Sequence, residues 1–240
     1  MGNENGEWIM HGVPENSPYR LRTLEQLMEY VNEVGFLPLF QNDIPGLSVE
    51  ERTVAYHWWS EDPAVDPWIW REIAAESGKV AYGKFFEKKA GFISLDWFPV
   101  FANYRRDGYD FDSRWEDAKA NIRHKKIMDC FQEKEELFSF ELKRLAGFGT
   151  GGEKNFEGCV SELEMETYLV IRGFRSRLNK KGEPYGWPIT VYTCPESLWG
   201  YDVFSAAYRE DPQRSYERIA EHLKTVYPMI TDRQIHRLLR

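Results

Sequence analysis

The sequence predicts a mostly helical protein of the α+β class, and two observations carry this prediction. Apolar residues recur at helical spacing in stretches that begin at capping residues, whereas only two pairs of short runs have the β-branched and aromatic residues typical of hairpins. The chain has 240 residues, of which 42% are hydrophobic and 29% are charged. Such a composition is typical of globular proteins and excludes a disordered chain, a collagen-like repeat and a disulfide scaffold.

The N-terminal region predicts an arm, a helix and an extended loop, in that order. Residues 1–22 have no apolar period and are expected to form an irregular arm. Thr23 and Gln26 have the spacing of a capping box, and Gly35 supplies the stop for the helix that follows. The next segment, FLPLFQNDIPGLSVEE, is interrupted by prolines and a glycine, so we expect a short extended stretch and then a loop.

A second helix and a hairpin are predicted next. Asp66 is followed by a proline, which suits the first helical position, and the helix is expected to end at Gly78. Two β-like runs at 80–86 and 90–94 flank a Glu-Lys-Lys turn and predict a hairpin. A helix over about 95–105 is expected to follow, with its proline in the first turn.

The second half of the chain predicts a longer series of elements. Ser113 and Glu116 have the spacing of a capping box and predict one helix that continues to about Lys134. Three helices followed by a hairpin are the topology of a winged helix, a helix-turn-helix variant whose hairpin is called the wing. The elements after the first helix are a short helix over 139–146, a helix over 153–166, and strands over 168–176 and 185–193 joined by a basic turn.

Helical signals continue to the end of the chain and complete the predicted domain organisation. A capping box is predicted at Thr193 with Glu196, and another at Thr231 with Gln234. A second, divergent winged helix in the N-terminal half is an open alternative, because a helix followed by a hairpin recurs at 66–94. The predicted domains are the irregular arm over 1–22, a helical domain with a hairpin over 23–112, a winged helix over 113–195 and a helical segment over 196–240.

The wing is the first candidate functional element, because basic residues concentrate in it. A hairpin with such a charge can follow phosphates, which attract cations regardless of base sequence. An ordinary solvated hairpin is the alternative, since polar turns often carry lysines. The basic residues of the predicted wing are Arg172, Arg175, Arg177, Lys180 and Lys181.

Charge elsewhere in the chain is more evenly mixed. The helix before the wing has five acidic residues and one basic residue, and this net charge opposes entry between the phosphates of a major groove. Arg105 and Arg106, with the basic run 123–126, are further candidates for DNA contact, and a mixed solvated surface is the alternative. The net charge of −8 is confined to the first 100 residues, which have 16 acidic and 8 basic side chains. Residues 101–240 therefore carry no net negative charge that would repel a polyanion.

The sequence predicts neither a metal site nor a cofactor. The five histidines form no HxxxH pair, and no phosphate-binding loop or GxSxG motif is present. Cys130, Cys159 and Cys194 are far apart, so we expect reduced thiols in a cytoplasmic protein. The sequence has no apolar run of membrane-spanning length and no signal-peptide pattern, so no membrane association is expected. We expect a monomer.

An aromatic and acidic region in the first half is the second candidate functional element. Gln41, Asp43 and His57 are the candidates for catalysis, since an amide, a carboxylate and an imidazole can position water or move a proton. Aromatic rings beside them can hold a flipped base. An ordinary core with capped helices is the alternative. The rings of this candidate pocket are Trp58, Trp59, Trp68 and Trp70.

Several segments together resemble one bacterial family. They are GFLPLFQNDIPG, DPWIWREIA, KVAYGKFFEKKAGFIS, FANYRRDGYDF and the block from FELKRLAGF to YGWPITVYT. On these segments, from about Thr23 to Arg240, the chain resembles the family related to the DNA glycosylase AlkZ, the YcaQ-like tandem winged-helix proteins. The resemblance implies winged-helix units around a DNA-binding channel, and double-stranded DNA as the partner.

The resemblance also implies where catalysis would lie. Active members position water with a glutamine–apolar–aspartate or glutamine–apolar–glutamine motif, whose end residues fall here on Pro38 and Phe40, and neither can polarise water. Gln41 and Asp43 offer suitable end residues three positions later, around the polar Asn42. The resemblance therefore implies a nucleic-acid-associated winged-helix protein without the catalytic motif. There are two alternatives. One is a divergent DNA glycosylase, which would be a repair hydrolase that removes alkylated bases, and the other is a winged-helix protein-interaction module.

Overall fold

A computed structural model of the chain describes residues 2–4 and 7–240, with side chains from residue 9 onward. The strands are β1 (Gly2–Glu4), β2 (Glu7–Ile9), β3 (Phe36–Pro38), β4 (Val80–Phe86), β5 (Lys89–Ser94), β6 (Glu136–Phe138), β7 (Val170–Leu178) and β8 (Pro184–Thr193). The helices are α1 (Leu24–Val34), α2 (Pro67–Ser77), α3 (Phe98–Arg106), α4 (Phe111–Glu116), α5 (Ile122–Met128), α6 (Ser139–Leu145), α7 (Phe156–Met165), α8 (Pro195–Trp199), α9 (Tyr201–Ala207), α10 (Pro212–Val226) and α11 (Asp232–Leu238). The α+β, mostly helical fold class is confirmed.

The chain divides into two compact units. The first unit comprises Met1–Phe98 and Glu217–Arg240, and the second comprises Pro99–Tyr216. The domain boundaries predicted after residues 22, 112 and 195 remain predictions. None of the helices in the described part of the chain combines the length and apolar character needed to cross a bilayer.

In the first unit, a three-stranded antiparallel sheet lies beside α1 and α2. Its strands are in the order β3-β5-β4, and Phe36 lies opposite Ile93. The side chains of Thr23 and Asp66 cap α1 and α2, since each accepts an N–H group of the first turn. The predicted box at Thr23 is incomplete, because the side chain of Gln26 accepts the N–H of Arg22 instead of that of Thr23. The buried face of α1 consists of Leu27, Val31 and Val34.

The hairpin of the first unit turns tightly. Glu87 and Lys88 both have left-handed φ values, 50° and 62°, as in the two-residue turns that match the twist of paired strands. Gly91 is required in β5, because a Cβ atom there would lie 2.5 Å from the ring of Phe86. The hairpin therefore ends close to the buried Phe85 and Phe86.

The second unit contains the predicted winged helix. Helices α5, α6 and α7 are followed by the hairpin β7–β8, and β6 pairs with β8 to give the order β6-β8-β7. The sequence does not predict β6, because three residues are too short to show a strand period. The winged-helix topology is confirmed.

The first unit has the same order of elements. Helix α1, strand β3, helix α2 and the hairpin β4–β5 follow one another, and β3 pairs with the last strand of the hairpin. Two 3₁₀ turns, Glu50–Arg52 and Ala55–His57, stand where the second unit has α6.

One predicted helix, from Ser113 to about Lys134, is wrong. Asp110 caps α4 instead, since its carboxylate accepts the N–H of Ser113 at 2.8 Å. Ala118 then adopts a left-handed φ of 56°, which an α-helix cannot accommodate. Helix α5 begins anew behind Asn121, whose side chain accepts an N–H of its first turn. Short polar residues therefore cap two helices where the apolar spacing predicts one.

The two capping boxes predicted for the C-terminal tail have different outcomes. Thr231 and Gln234 form the predicted box at the start of α11. The box predicted at Thr193 is wrong, because its hydroxyl donates to the carbonyl of Glu135 at 2.6 Å. Helix α8 begins after Cys194 without a side-chain cap. Contact with the chain beside β6 therefore replaces helix capping at Thr193.

Candidate functional site

The turn of the wing is held by one asparagine. The side-chain oxygen of Asn179 accepts the N–H groups of Lys181 and Glu183 at 2.8 and 3.1 Å. Its amide nitrogen donates to the Glu183 carboxylate at 2.9 Å. Contacts of this kind stabilise a turn that has no core beneath it. The side chains of Lys180 and Lys181 are exposed on this turn.

Two of the five predicted wing cations are paired with an acid of the same sheet. Arg175 forms an ion pair with Glu136 of β6 through both prongs of its guanidinium, and Arg172 Nε lies 3.9 Å from the same carboxylate. The hydrogen bond from Arg175 lowers the pKa of Glu136, so this carboxylate is charged at neutral pH. Glu136 therefore neutralises part of the charge at the inner end of the wing.

Arg177 lies farther out, against an aromatic ring. Its guanidinium carbon is 4.4 Å from the centre of the Phe140 ring, within range of cation–π attraction. Phe140 and Tyr185 line an open groove of about 660 Å³ formed by α6 and the wing. We call the exposed end of the hairpin, residues 177–187, the outer wing. It combines cations with aromatic rings.

The aromatic residues of the outer wing are not among the site residues that the sequence predicts. Tyr185 is 49% exposed and Trp187 is 90% exposed. The available signal was the glycine and the proline that flank Trp187, since both are unfavourable in a regular strand.

Helix α7, which occupies the position of the recognition helix, is mostly buried. Its buried residues are Phe156, Cys159, Val160, Ser161, Leu163 and Glu164. Three acids in or beside it form ion pairs at 2.7–2.9 Å: Glu153 with Lys126, Glu157 with Lys143, and Glu166 with Arg114. A fourth, Glu162, lies within hydrogen-bond distance of His124, at 3.1 Å. One face of this helix is therefore buried, and the acidic side chains at its surface contact basic residues of the same unit.

The predicted DNA contact by Arg106 is wrong, because this side chain is completely buried. It donates to the hydroxyl and carbonyl oxygens of Thr167 at 3.1 and 2.6 Å, and to Glu196 and Tyr208. Arg105 donates to the carbonyl of the last residue of α7 at 2.7 Å. Burial lowers the pKa of Arg105 to about 10. Both arginines hold the end of α7 in place.

In the first unit, polar contacts fix the loop that follows β3. Gln41 donates its backbone N–H to the buried carboxylate of Glu50 at 2.9 Å. The side chain of Asn42 accepts a backbone N–H two residues further on, at 2.8 Å. The Asp43 carboxylate lies 3.2 Å from Arg237 of α11. The carboxylate that is a candidate for catalysis is therefore one partner of an ion pair.

The positions that the resemblance implies for the catalytic pair surround very little space. Pro38 and Phe40 line a cavity of about 20 Å³ together with Phe86 and Arg237. This volume holds about one water molecule, whereas small-molecule sites usually exceed about 300 Å³. A flipped base does not fit in this cavity.

The four tryptophans divide between core and surface. Trp58 and Trp70 are 4% and 2% exposed, and each donates its indole N–H within the unit, at 2.9 and 3.0 Å. Trp59 is 52% exposed and lies at tilts of 57° and 51° to the rings of Trp58 and Trp68. These neighbouring rings are tilted against one another, whereas a slot for a base requires parallel walls.

His57 is half-buried and its ring meets Tyr56 edge-on, with ring centres 4.6 Å apart. Within residues 9–240 it shares no hydrogen bond or ion pair with Gln41 or Asp43. The three candidates for catalysis therefore do not form one hydrogen-bonded site. Among the described residues, no cluster of His, Cys, Asp and Glu side chains suits a metal ion.

Comparison with known proteins assigns the chain to a family. A family model described as AlkZ related matches residues 21–240. The chain belongs to the AlkZ-related family. A search of curated proteins finds no match. The crystal structure of a MarR-family transcriptional regulator from Silicibacter pomeroyi is similar at a TM-score of 0.23 and 11% identity, and the match covers 57% of this chain and 75% of that one.

In this AlkZ-related chain, the structure brings only part of the predicted site residues together. The five wing cations share one hairpin, in an inner pair that contacts Glu136 and an outer group of three. Gln41 and Asp43 share a loop, and Trp59 has ring contacts with Trp58 and Trp68. Arg106 belongs to the interior of the second unit.

Proposed function

We propose that this AlkZ-related protein binds double-stranded DNA through its outer wing and does not excise bases. The observation that carries the proposal is the exposure of Arg177, Lys180 and Lys181 on a hairpin whose neighbouring helix, α7, is mostly buried. Cations on an exposed element contact phosphates, which carry no sequence information. The proposed binding is therefore independent of base sequence.

The distribution of charge along the wing favours contact at its outer end. Glu136 lies against Arg172 and Arg175 at the inner end. The acid of the turn, Glu183, accepts a hydrogen bond from Asn179 and is opposed by two adjacent lysines. A polyanion is therefore attracted most strongly to the end of the hairpin.

Two features of the first unit support the proposal that this protein does not excise bases. Pro38 and Phe40 carry no group that polarises water, and the cavity beside them has room for about one water molecule. Glycosidic cleavage needs a carboxylate or amide close to the reacting sugar. The nearest candidate, Asp43, is paired with Arg237.

The triple replacement of Arg177, Lys180 and Lys181 by alanine is expected to weaken binding to a DNA duplex about 100-fold at physiological salt. Each phosphate contact contributes about 0.9 to the slope of log K against log salt, so the slope should fall by about 2.7. Fluorescence anisotropy titrations at several salt concentrations measure both quantities.

The matched control removes the same charge from the first unit, by replacing Lys79, Lys88 and Lys89 with alanine. These lysines are exposed at or beside the hairpin β4–β5. We expect this variant to change the slope by less than about one. Equal effects of the two triple variants would show a general effect of charge and would overturn the role of the wing, as would an unchanged slope in the wing variant.

The protein is expected to release no free base from a duplex that contains alkylated purines. Chromatography of the released bases, with spontaneous depurination as the blank, measures this. Release above the blank would contradict the proposal. Asp43→Asn and Gln41→Ala would then identify the source, since removing a catalytic electrostatic group lowers the rate about 100-fold or more.

A further inference from the structure

An irregularity in β8 presents Trp187 to solvent. The strand register leaves three residues of β8, Gly186–Pro188, opposite one residue of β7, Ser176. Gly186 has a left-handed φ of 73°, and Pro188 has no N–H to give to the neighbouring strand. A Cβ atom on Gly186 would meet no atom within 4 Å, so backbone conformation and not space requires the glycine. Bulges of this kind redirect a side chain.

The indole that results is almost fully exposed. Trp187 has an exposed fraction of 90%, whereas Trp58 and Trp70 have 4% and 2%. Tryptophan has one of the largest apolar surfaces of all side chains, and it is enriched among the residues that contribute most to binding. A bulge whose result is an exposed indole indicates a ligand outside this chain.

The chemistry around Trp187 restricts the ligand. Residues 177–187 include three basic side chains and one acid. Arg177 lies over the ring of Phe140, and Tyr185 lines the same groove. An acidic protein segment would satisfy only the cations. A nucleic acid strand satisfies both, because it offers phosphates to the cations and flat bases to the rings.

We infer that the outer wing binds a DNA segment with unpaired bases, and that Trp187 stacks on one of these bases. The inference rests on the proposed function and names its substrate class. Inside a duplex, each base is covered on both faces by its neighbours, so a wing ring that does not force neighbouring base pairs apart stacks on an unpaired base. Lys180 and Lys181 contact the flanking phosphates.

The test uses three DNA molecules and the full chain. They are a blunt duplex, the same duplex with an unpaired extension of about six nucleotides, and that extension built from abasic spacers. The spacers keep the phosphates and remove the bases. We expect the extension with bases to bind about tenfold more tightly than the spacer extension, since one stacked base contributes a factor of this order.

Trp187→Ala is expected to abolish the preference for bases, so that the extension with bases and the spacer extension bind equally tightly. Trp187→Phe keeps an aromatic ring and should keep most of the preference. Tyr201→Ala removes a ring that is 55% exposed on α9 of the same unit, and it should change nothing.

The outcomes separate this inference from the proposed function. Equal binding of base and spacer extensions, or a preference that survives in Trp187→Ala, would overturn the inference while blunt-duplex binding still supports the proposed function. Loss of affinity for all three molecules in Trp187→Ala would also overturn it, since the ring would then act without unpaired bases. A wild type that binds none of them would reject both.

Discussion

Arg106→Ala is expected to lower the free energy of unfolding by about 3–5 kcal/mol, the range found when one partner of a buried ion pair is removed. The guanidinium has no solvent exposure and lies 4.6 Å from the centre of the Tyr168 ring. Burial opposes its charge, but Glu196 and Tyr208 raise its pKa, so it remains charged. Alanine would leave a cavity and deprive Thr167 of its donors.

Urea unfolding followed by circular dichroism measures this loss. Arg144→Ala removes an exposed arginine of α6 in the same unit, and it should change the free energy of unfolding by less than about 0.5 kcal/mol. Arg106→Lys keeps the charge but not the planar fork that reaches several acceptors, so an intermediate loss is expected. A loss below about 1 kcal/mol in Arg106→Ala would contradict a structural role for this arginine.

Glu50→Ala is expected to destabilise the first unit by about 2–4 kcal/mol, because it removes a buried acceptor that two backbone N–H groups share. The Glu50 carboxylate has no solvent exposure and accepts the N–H groups of His11 and Gln41 at 2.8 and 2.9 Å. It therefore joins the chain near the N-terminus to the loop after β3. Glu50→Gln is also expected to be destabilising, because its amide nitrogen would face one of these N–H donors.

Urea unfolding gives the size of this effect, and hydrogen exchange gives its location. The amides of His11 and Gln41 should lose protection in Glu50→Ala beyond the loss that global destabilisation explains. Glu29→Ala, at an exposed position of α1, is the control and should leave both amides protected. Unchanged exchange at both amides would show that water replaces the carboxylate without cost.

Local signals in the sequence predict most of the fold. The caps of α1, α2 and α11 depend on residues that lie within four positions of one another, and the hairpins depend on short runs around a turn. The errors arise where tertiary contacts decide. Thr193 has the spacing of a cap, but the carbonyl of Glu135, 58 residues away, takes its hydroxyl. Strand β6 forms because it pairs with β8. Its three residues are too few for the alternating pattern of a strand to be visible in the sequence.

The candidate site is less predictable than the fold, because charge does not reveal burial. Arg105 and Arg106 are adjacent in sequence to acids and read as surface residues, yet Arg106 finds its partners 61 and 90 residues away, at Thr167 and Glu196. The wing cations, in contrast, lie on a hairpin whose local sequence predicts it. Composition also predicts an aromatic pocket in the first unit, although the exposed indole of Trp187 lies in the second.

The structure of the wing determines which positions near it can be substituted without loss of folding stability. Strand β6 pairs with β8 only over Val191–Thr193, so the hairpin beyond it is a ribbon of two strands with exposed side chains. Substitutions at such positions change folding stability by less than about 0.5 kcal/mol. Substitutions on the ribbon can therefore change its surface with little loss of folding stability. Helix α7, in which six of ten residues are buried, has less freedom of this kind, and changes in specificity should accumulate on the ribbon.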